Sequence, residues 1–141
     1  MSKTIFKHEL KDAYGMPLGS ITIKDYTKDN LIINEEKITL SNDLIEKIKE
    51  LLNNKDLELN AEVVFPPVLD GTIHELFFND KKIECCNLWY FKDDSDYEEN
   101  EVFNKEDIKY TKAIVNLIKE IQKILNNNNI DVDILEGSED Y

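Results

Sequence analysis

Apolar residues in this chain recur with two different periods, and the order in which those periods alternate restricts the fold more than any other feature. "KTIFKHEL" (3–10) and "LGSITIKD" (18–25) alternate with the period of two that marks half-buried strands. Between them "AYGMP" supplies Gly15 and Pro17 as turn formers, so the two segments are predicted to form a hairpin. "NLIIN" and "EKITL" are shorter apolar pieces that add one or two further strands.

In "SNDLIEKIKELLNN" (41–54) the period changes to that of a helix. Ser41 or Asn42 can cap its start, and Asp43 sits at the positive end of the helix dipole. Leu44, Ile45, Ile48, Leu51 and Leu52 fall within an arc of about 120°, which defines a core-facing stripe. A three-strand meander is expected next, from "AEVVF", "TIHELFF" and "KIECCNLWYF", broken by "PPVLDG" and turned by "NDK". Pairing Phe78 with Ile83 places His74, Leu76, Phe78, Ile83, Cys85, Trp89 and Phe91 on one face, with Asn87 opposite His74. The other face carries Ile73, Glu75, Phe77, Glu84, Cys86, Leu88 and Tyr90.

Asn104 offers an N-cap for a second helix that is expected to run to the asparagine cluster 126–129. Its apolar stripe is Ile114, Leu117, Ile118, Ile121, Ile124 and Leu125, and Lys105, Lys109, Lys112, Lys119 and Lys123 form a ridge on the opposite side. "IDVDIL" alternates like an edge strand, and residues 136–141 are expected to be a mobile acidic tail. These elements predict a single α+β domain over 1–141: a mainly antiparallel sheet of five to seven strands with two helices packed on one face, in the order ββ(ββ)αβββαβ. Alternation without long crossover units argues against a doubly wound parallel sheet.

Charge narrows the function. Thirty acidic residues against seventeen lysines, with no arginine, give a formal charge of −13, which repels phosphate backbones and anionic lipid. Direct nucleic-acid or membrane binding is therefore not expected. No apolar run approaches the roughly 18 residues of a membrane helix, and the adjacent Cys85 and Cys86, which project to opposite faces of a strand, cannot form an ordinary structural disulfide. A reducing cytoplasm is the expected compartment. Acidity rises along the chain, from net −4 over residues 1–70 to net −9 over the remaining 71.

The densest acidic run, "KDDSDYEENE" (92–101), puts six carboxylates into ten residues. As a calcium loop it fails, because no glycine stands at the sixth place from Asp94 and Lys105 replaces the bidentate glutamate at the twelfth. Zinc would need His8, His74, Cys85 and Cys86 together, yet neighbouring strand residues cannot reach one tetrahedral ion without a bulge. Neither a metal nor any other cofactor is expected. The serines lie in no G-x-S-x-G elbow, and the four glycines make no phosphate loop. What remains for catalysis is a Cys/His pair, His74 with Cys85, on a face that is also the core face, where burial makes a thiol inert.

The competing use of the acidic run is as a binding surface. Asp93, Asp94, Asp96, Glu98, Glu99 and Glu101 steer a basic partner, while Tyr90, Phe91, Tyr97 and Phe103 offer rigid aromatic contact area. The expectation is a non-catalytic acidic protein-binding module that neutralises a basic protein partner, for example an immunity protein blocking a bacterial toxin or nuclease, and that is a monomer or weak homodimer. Two alternatives stand beside it: a small enzyme using the Cys/His pair, and a subunit that self-associates through Ile73, Phe77, Leu88 and Tyr90.

Overall fold

The computed structural model describes residues 3–63, 72–86 and 105–132. Within them, β1 (Thr4–Lys11), β2 (Pro17–Lys24), β3 (Leu31–Ile33), β4 (Glu36–Ile38), β5 (Ile73–Phe78) and β6 (Lys81–Cys86) form one antiparallel sheet. The spatial order is β4-β3-β2-β1-β5-β6. Two helices, α1 (Asn42–Leu52) and α2 (Lys105–Asn127), and a 3-10 turn (Lys55–Glu58) complete the described elements. The class is α+β, as the alternation of periods predicts.

Two-residue turns set the short hairpins. Asn34 and Glu35 join β3 to β4 at φ 47° and 73°, and Asn79 and Asp80 join β5 to β6 at φ 50° and 60°. Left-handed geometry at both central residues matches the right-handed twist of the flanking strands, and Asn and Asp adopt it at least cost. The first helix is capped as its sequence indicates: Ser41 Oγ accepts from the Leu44 N–H at 3.3 Å. At the end of α2, Asn129 takes φ 63°, and the Ile130 N–H donates to the Leu125 carbonyl at 3.0 Å. This Schellman closure satisfies carbonyls that the last turn leaves open.

On the inward face of the sheet, residues stand in cross-strand rows. Ile23, Phe6 and Phe78 form one row, Ile33, Ile21, His8, Leu76 and Ile83 the next, and Gly19, Leu10, His74 and Cys85 a third. Ile45, Ile48 and Leu52 of α1 and Ile114, Leu117, Ile118, Ile121 and Leu125 of α2 join these residues in one buried cluster. Each fully buried side chain of this size contributes about 1.5–3 kcal/mol by leaving water. The second helix is buried more widely than its predicted stripe, since Tyr110, Thr111, Ala113, Val115 and Gln122 are also inside.

The structure corrects four expectations. In the β5–β6 hairpin Phe78 pairs with Lys81, not Ile83, so His74 faces Cys85 rather than Asn87. A two-residue turn at Asn79–Asp80 leaves no room for the wider turn, and because the shift is two residues, each side chain keeps its face. The expected first strand of the meander is absent over 61–63, where the Glu62 N–H donates to Asp107 Oδ1 of α2 at 2.9 Å instead of entering a ladder. Its place beside β5 is taken by β1. Residues 130–132 of the expected edge strand are irregular, with Val132 turned into the core. The Asn104 cap, the strand beyond Cys86 and the tail 136–141 lie outside the described residues.

Candidate functional site

Both candidate catalytic residues, His74 and Cys85, fall among the described ones, and the β5–β6 register makes them direct cross-strand neighbours. Both are buried. Their functional atoms nevertheless engage elsewhere. The Cys85 thiol donates to the backbone carbonyl of His74 at 3.7 Å. The His74 ring meets His8 through Nδ1, at 2.9 Å from His8 Nε2, and Thr72 Oγ1 through Nε2, at 3.3 Å. The two imidazoles stack with centroids 5.1 Å apart and planes 22° from parallel.

Burial decides the protonation of all three groups. It pushes the Cys85 thiol far up, with Cys86 and Glu84 adding to the effect. It lowers His74 to about 4, and it holds His8 well below the ordinary imidazole value, with His74 as a second cause. A nucleophilic thiol needs a base within hydrogen-bond reach and a depressed pKa; here the thiol's partner is a carbonyl and its shift has the opposite sign. In the neutral pair one imidazole donates its N–H to the other's bare nitrogen, which fixes complementary tautomers. Among the described residues no group of three or more His, Cys, Asp or Glu side chains is arranged to hold a metal ion.

The inertness of Cys85 has a direct check. Cys86 projects to the other face and is only partly buried, although its thiol too is raised, by burial and by Glu84. With iodoacetamide near neutral pH, Cys86 is expected to be alkylated slowly and Cys85 only in denaturant, read by tandem mass spectrometry of the Cys85–Cys86 peptide. Rapid modification of Cys85 in the native protein would restore the enzymatic reading.

The outward face of the sheet has a different character. Ile73 and Phe77 are half-buried there among charges that neutralise one another: Lys11 Nζ lies 2.9 Å from Glu75 and 3.5 Å from Glu9, and Lys7 Nζ lies 3.8 Å from Glu9. A groove of about 270 Å³ on this face is lined by Lys7, Glu9, Glu75, Phe77, Lys82 and Glu84. On the helical side Lys109 pairs with Asp56 at 3.5 Å, and Lys105, Lys109, Lys119 and Lys123 are exposed, as the ridge predicts.

Counting charge by segment separates two parts of the chain. The described residues contain sixteen lysines and nineteen acids, net −3, so ten of the thirteen net negative charges belong to the remaining segments. Residues 87–104 alone hold six acids and one lysine, net −5. The expected partner-binding residues, Tyr90, Phe91, Asp93, Asp94, Asp96, Tyr97, Glu98, Glu99, Glu101 and Phe103, lie outside the described residues, as do Leu88 and the rest of the proposed self-association face beyond Ile73 and Phe77. The chain enters that segment from Cys86, which stands in line with Ile73 and Lys11 across three neighbouring strands.

Two features escape a reading of the sequence alone. The histidine pair joins residues 66 positions apart through the β1–β5 pairing, which no local pattern announces. The β1–β2 turn and the start of β2 expose Tyr14, Met16 and Leu18; the available signal was "YGM", with two large apolar residues where a turn ordinarily carries small polar ones. The chain matches no protein-family model, and a search of curated proteins finds nothing that matches it.

Proposed function

We propose that the chain is a non-catalytic acidic protein that binds and occludes a basic protein partner, in the way an immunity protein blocks a bacterial toxin or nuclease. The observation that carries this reading is the placement of charge along the sequence: residues 87–104 hold six acids against one lysine, interleaved with Tyr90, Phe91, Tyr97 and Phe103. Among the described residues, acids such as Glu9, Glu75, Asp25 and Asp56 lie within ion-pair distance of the protein's own lysines. Carboxylates in excess of that balance attract an external cation, and neighbouring aromatic rings desolvate the pairs that form. The engagement of the Cys85 thiol by a carbonyl removes support from the catalytic alternative. Two adjacent unpaired cysteines agree with action in a reducing cytoplasm.

The test uses the whole chain as bait, with the captured protein identified by mass spectrometry and then purified. That protein is expected to carry net positive charge, and its association rate is expected to fall about tenfold or more between about 0.05 and 0.5 M salt. Replacing Asp93, Asp94, Asp96, Glu98, Glu99 and Glu101 by their amides is expected to slow association to a similar extent at low salt. A partner that associates with the neutralised variant at the unaltered rate overturns the reading.

A further inference from the structure

Four large apolar side chains are strongly exposed among the described residues: Tyr14 at 93%, Met16 at 62%, Leu18 at 46% and Tyr26 at 50%. Tyr26 has an internal use, because the Lys49 ammonium sits 4.0 Å from its ring centroid. The other three lie within five consecutive residues at the end of one hairpin. A scattered exposed leucine means nothing, whereas three large apolar groups close together at one hairpin end are the kind of exposed patch that interaction sites use.

The turn is held without them. Asp12 Oδ1 accepts from the N–H groups of Tyr14 and Met16, both at 2.9 Å. The Asp12 N–H donates to the Met16 carbonyl at 2.9 Å, and the Gly15 N–H donates to the Asp12 carbonyl at 3.0 Å. Gly15 takes φ 85°, a conformation that any side chain would strain. Four hydrogen bonds thus converge on one aspartate and fix the backbone, so the tip is presented already ordered. Little conformational freedom remains to be lost when it is buried by a second molecule.

We infer that the Tyr14–Leu18 tip is the apolar anchor of the protein's interaction surface and inserts into an apolar pocket, rimmed by basic groups, on a partner protein. The choice of occupant follows from charge and position. Lys11, Ile73 and Cys86 pair in line, so Cys86 stands two strand spacings, about 10 Å, from Lys11, the last residue of β1 and three positions before Tyr14. Cys86, the residue before the acidic segment in sequence, therefore lies at the same end of the sheet as the tip, and Glu35 of the β3–β4 turn lies at that end as well, beside Ser20 and Asn34. A basic-rimmed apolar pocket complements both features. The inference rests on the protein-binding reading of the preceding subsection, which supplies the basic character of the partner.

To test it, a photoreactive phenylalanine replaces Tyr14 in the full chain in cells, and the adduct is identified by mass spectrometry; a second chain carries the same group at Lys47, an exposed position on α1. The expected adduct is a net-positive protein joined from position 14 and not from 47. With that protein purified, the triple variant Tyr14→Ser, Met16→Ser, Leu18→Ser is expected to bind it about 30-fold or more weakly, with an unchanged salt dependence of the association rate and an unchanged melting temperature. Asp12→Ala, which frees the turn but keeps the apolar groups, is expected to weaken binding by a smaller factor. An adduct with a second copy of this chain, or a triple variant that binds as the parent does, overturns the inference. If the triple variant is unimpaired while the carboxylate-neutralised chain fails, the tip is excluded and the acidic reading stands.

Discussion

Acidification from pH 7 to pH 4 is expected to remove about 3 kcal/mol of folding stability through His74 alone, the linkage equivalent of a pKa lowered from 6.5 to about 4. The direction follows from which state binds the proton. Above pH 6.5 neither the folded nor the unfolded chain protonates these imidazoles, and the pair has no pH-dependent effect. Between 6.5 and about 4 the unfolded chain takes up protons that the buried rings refuse, so stability falls as pH falls. His8, lowered by burial and by His74, adds a loss of the same sign. Urea unfolding at a series of pH values measures the slope. In His8→Leu/His74→Leu the slope between pH 6.5 and 4 is expected to flatten, whatever that variant's stability at pH 7. Should the variant not fold, ring-carbon NMR of the parent protein gives the same answer: His74 is expected to titrate at about 4 and His8 below the ordinary imidazole value. Titration of both near 6.5 would show that the pair is not sealed from water.

Asn30→Ala is expected to cost about 3 kcal/mol, lowering Tm by about 10 °C. Asn30 is buried, and its amide forms a two-sided clamp: Nδ2 donates to the Leu40 carbonyl at 3.1 Å, and Oδ1 accepts from the Leu40 N–H at 2.6 Å. Its own carbonyl accepts from the Lys24 N–H at 2.7 Å. One side chain thereby joins the β2–β3 connection to the residue that leads into the cap of α1. Alanine strands both buried polar groups of Leu40, and an unsatisfied buried group costs about 1–3 kcal/mol. The neighbouring Thr39, whose hydroxyl donates to the Lys28 carbonyl at an exposed position, serves as the control. Thr39→Ala is expected to cost about 1 kcal/mol or less. Equal losses for the two variants in chemical denaturation would mean that the clamp is not sealed from solvent.

Local chemistry was legible wherever a pattern spanned neighbouring residues. The alternation of Phe6, His8 and Leu10 and of Ile21 and Ile23 gave the strands their inward face, and Ser41 gave α1 its cap. The lysine ridge of α2 was equally plain, because helical periodicity alone separates it from the core stripe. Over Ile73–Phe78 and Lys81–Cys86 the β5–β6 partition of faces was also correct although the register was displaced by two, since only an odd displacement moves a side chain to the other face. Pairings between distant strands were not legible. Either "AEVVF" or "KTIFKHEL" offers suitable alternation beside β5, and only the packed fold selects β1.

The candidate dyad shows the same division. That His74 and Cys85 share a core-facing row follows from alternation, but the partners of their polar atoms do not. Bringing β1 against β5 supplies His8 to the His74 ring, and the thiol turns to the carbonyl opposite. The amino-acid order by itself determined the class of fold, the inward faces, the helix limits to within a few residues and the uneven placement of charge. Tertiary structure alone decided which strands are neighbours, which polar groups meet in the interior, and that Tyr14, Met16 and Leu18 are left outside it. The physical reason is range: period and propensity act over a few residues, whereas burial and cross-strand pairing are settled by segments tens of residues apart competing for one place in the sheet.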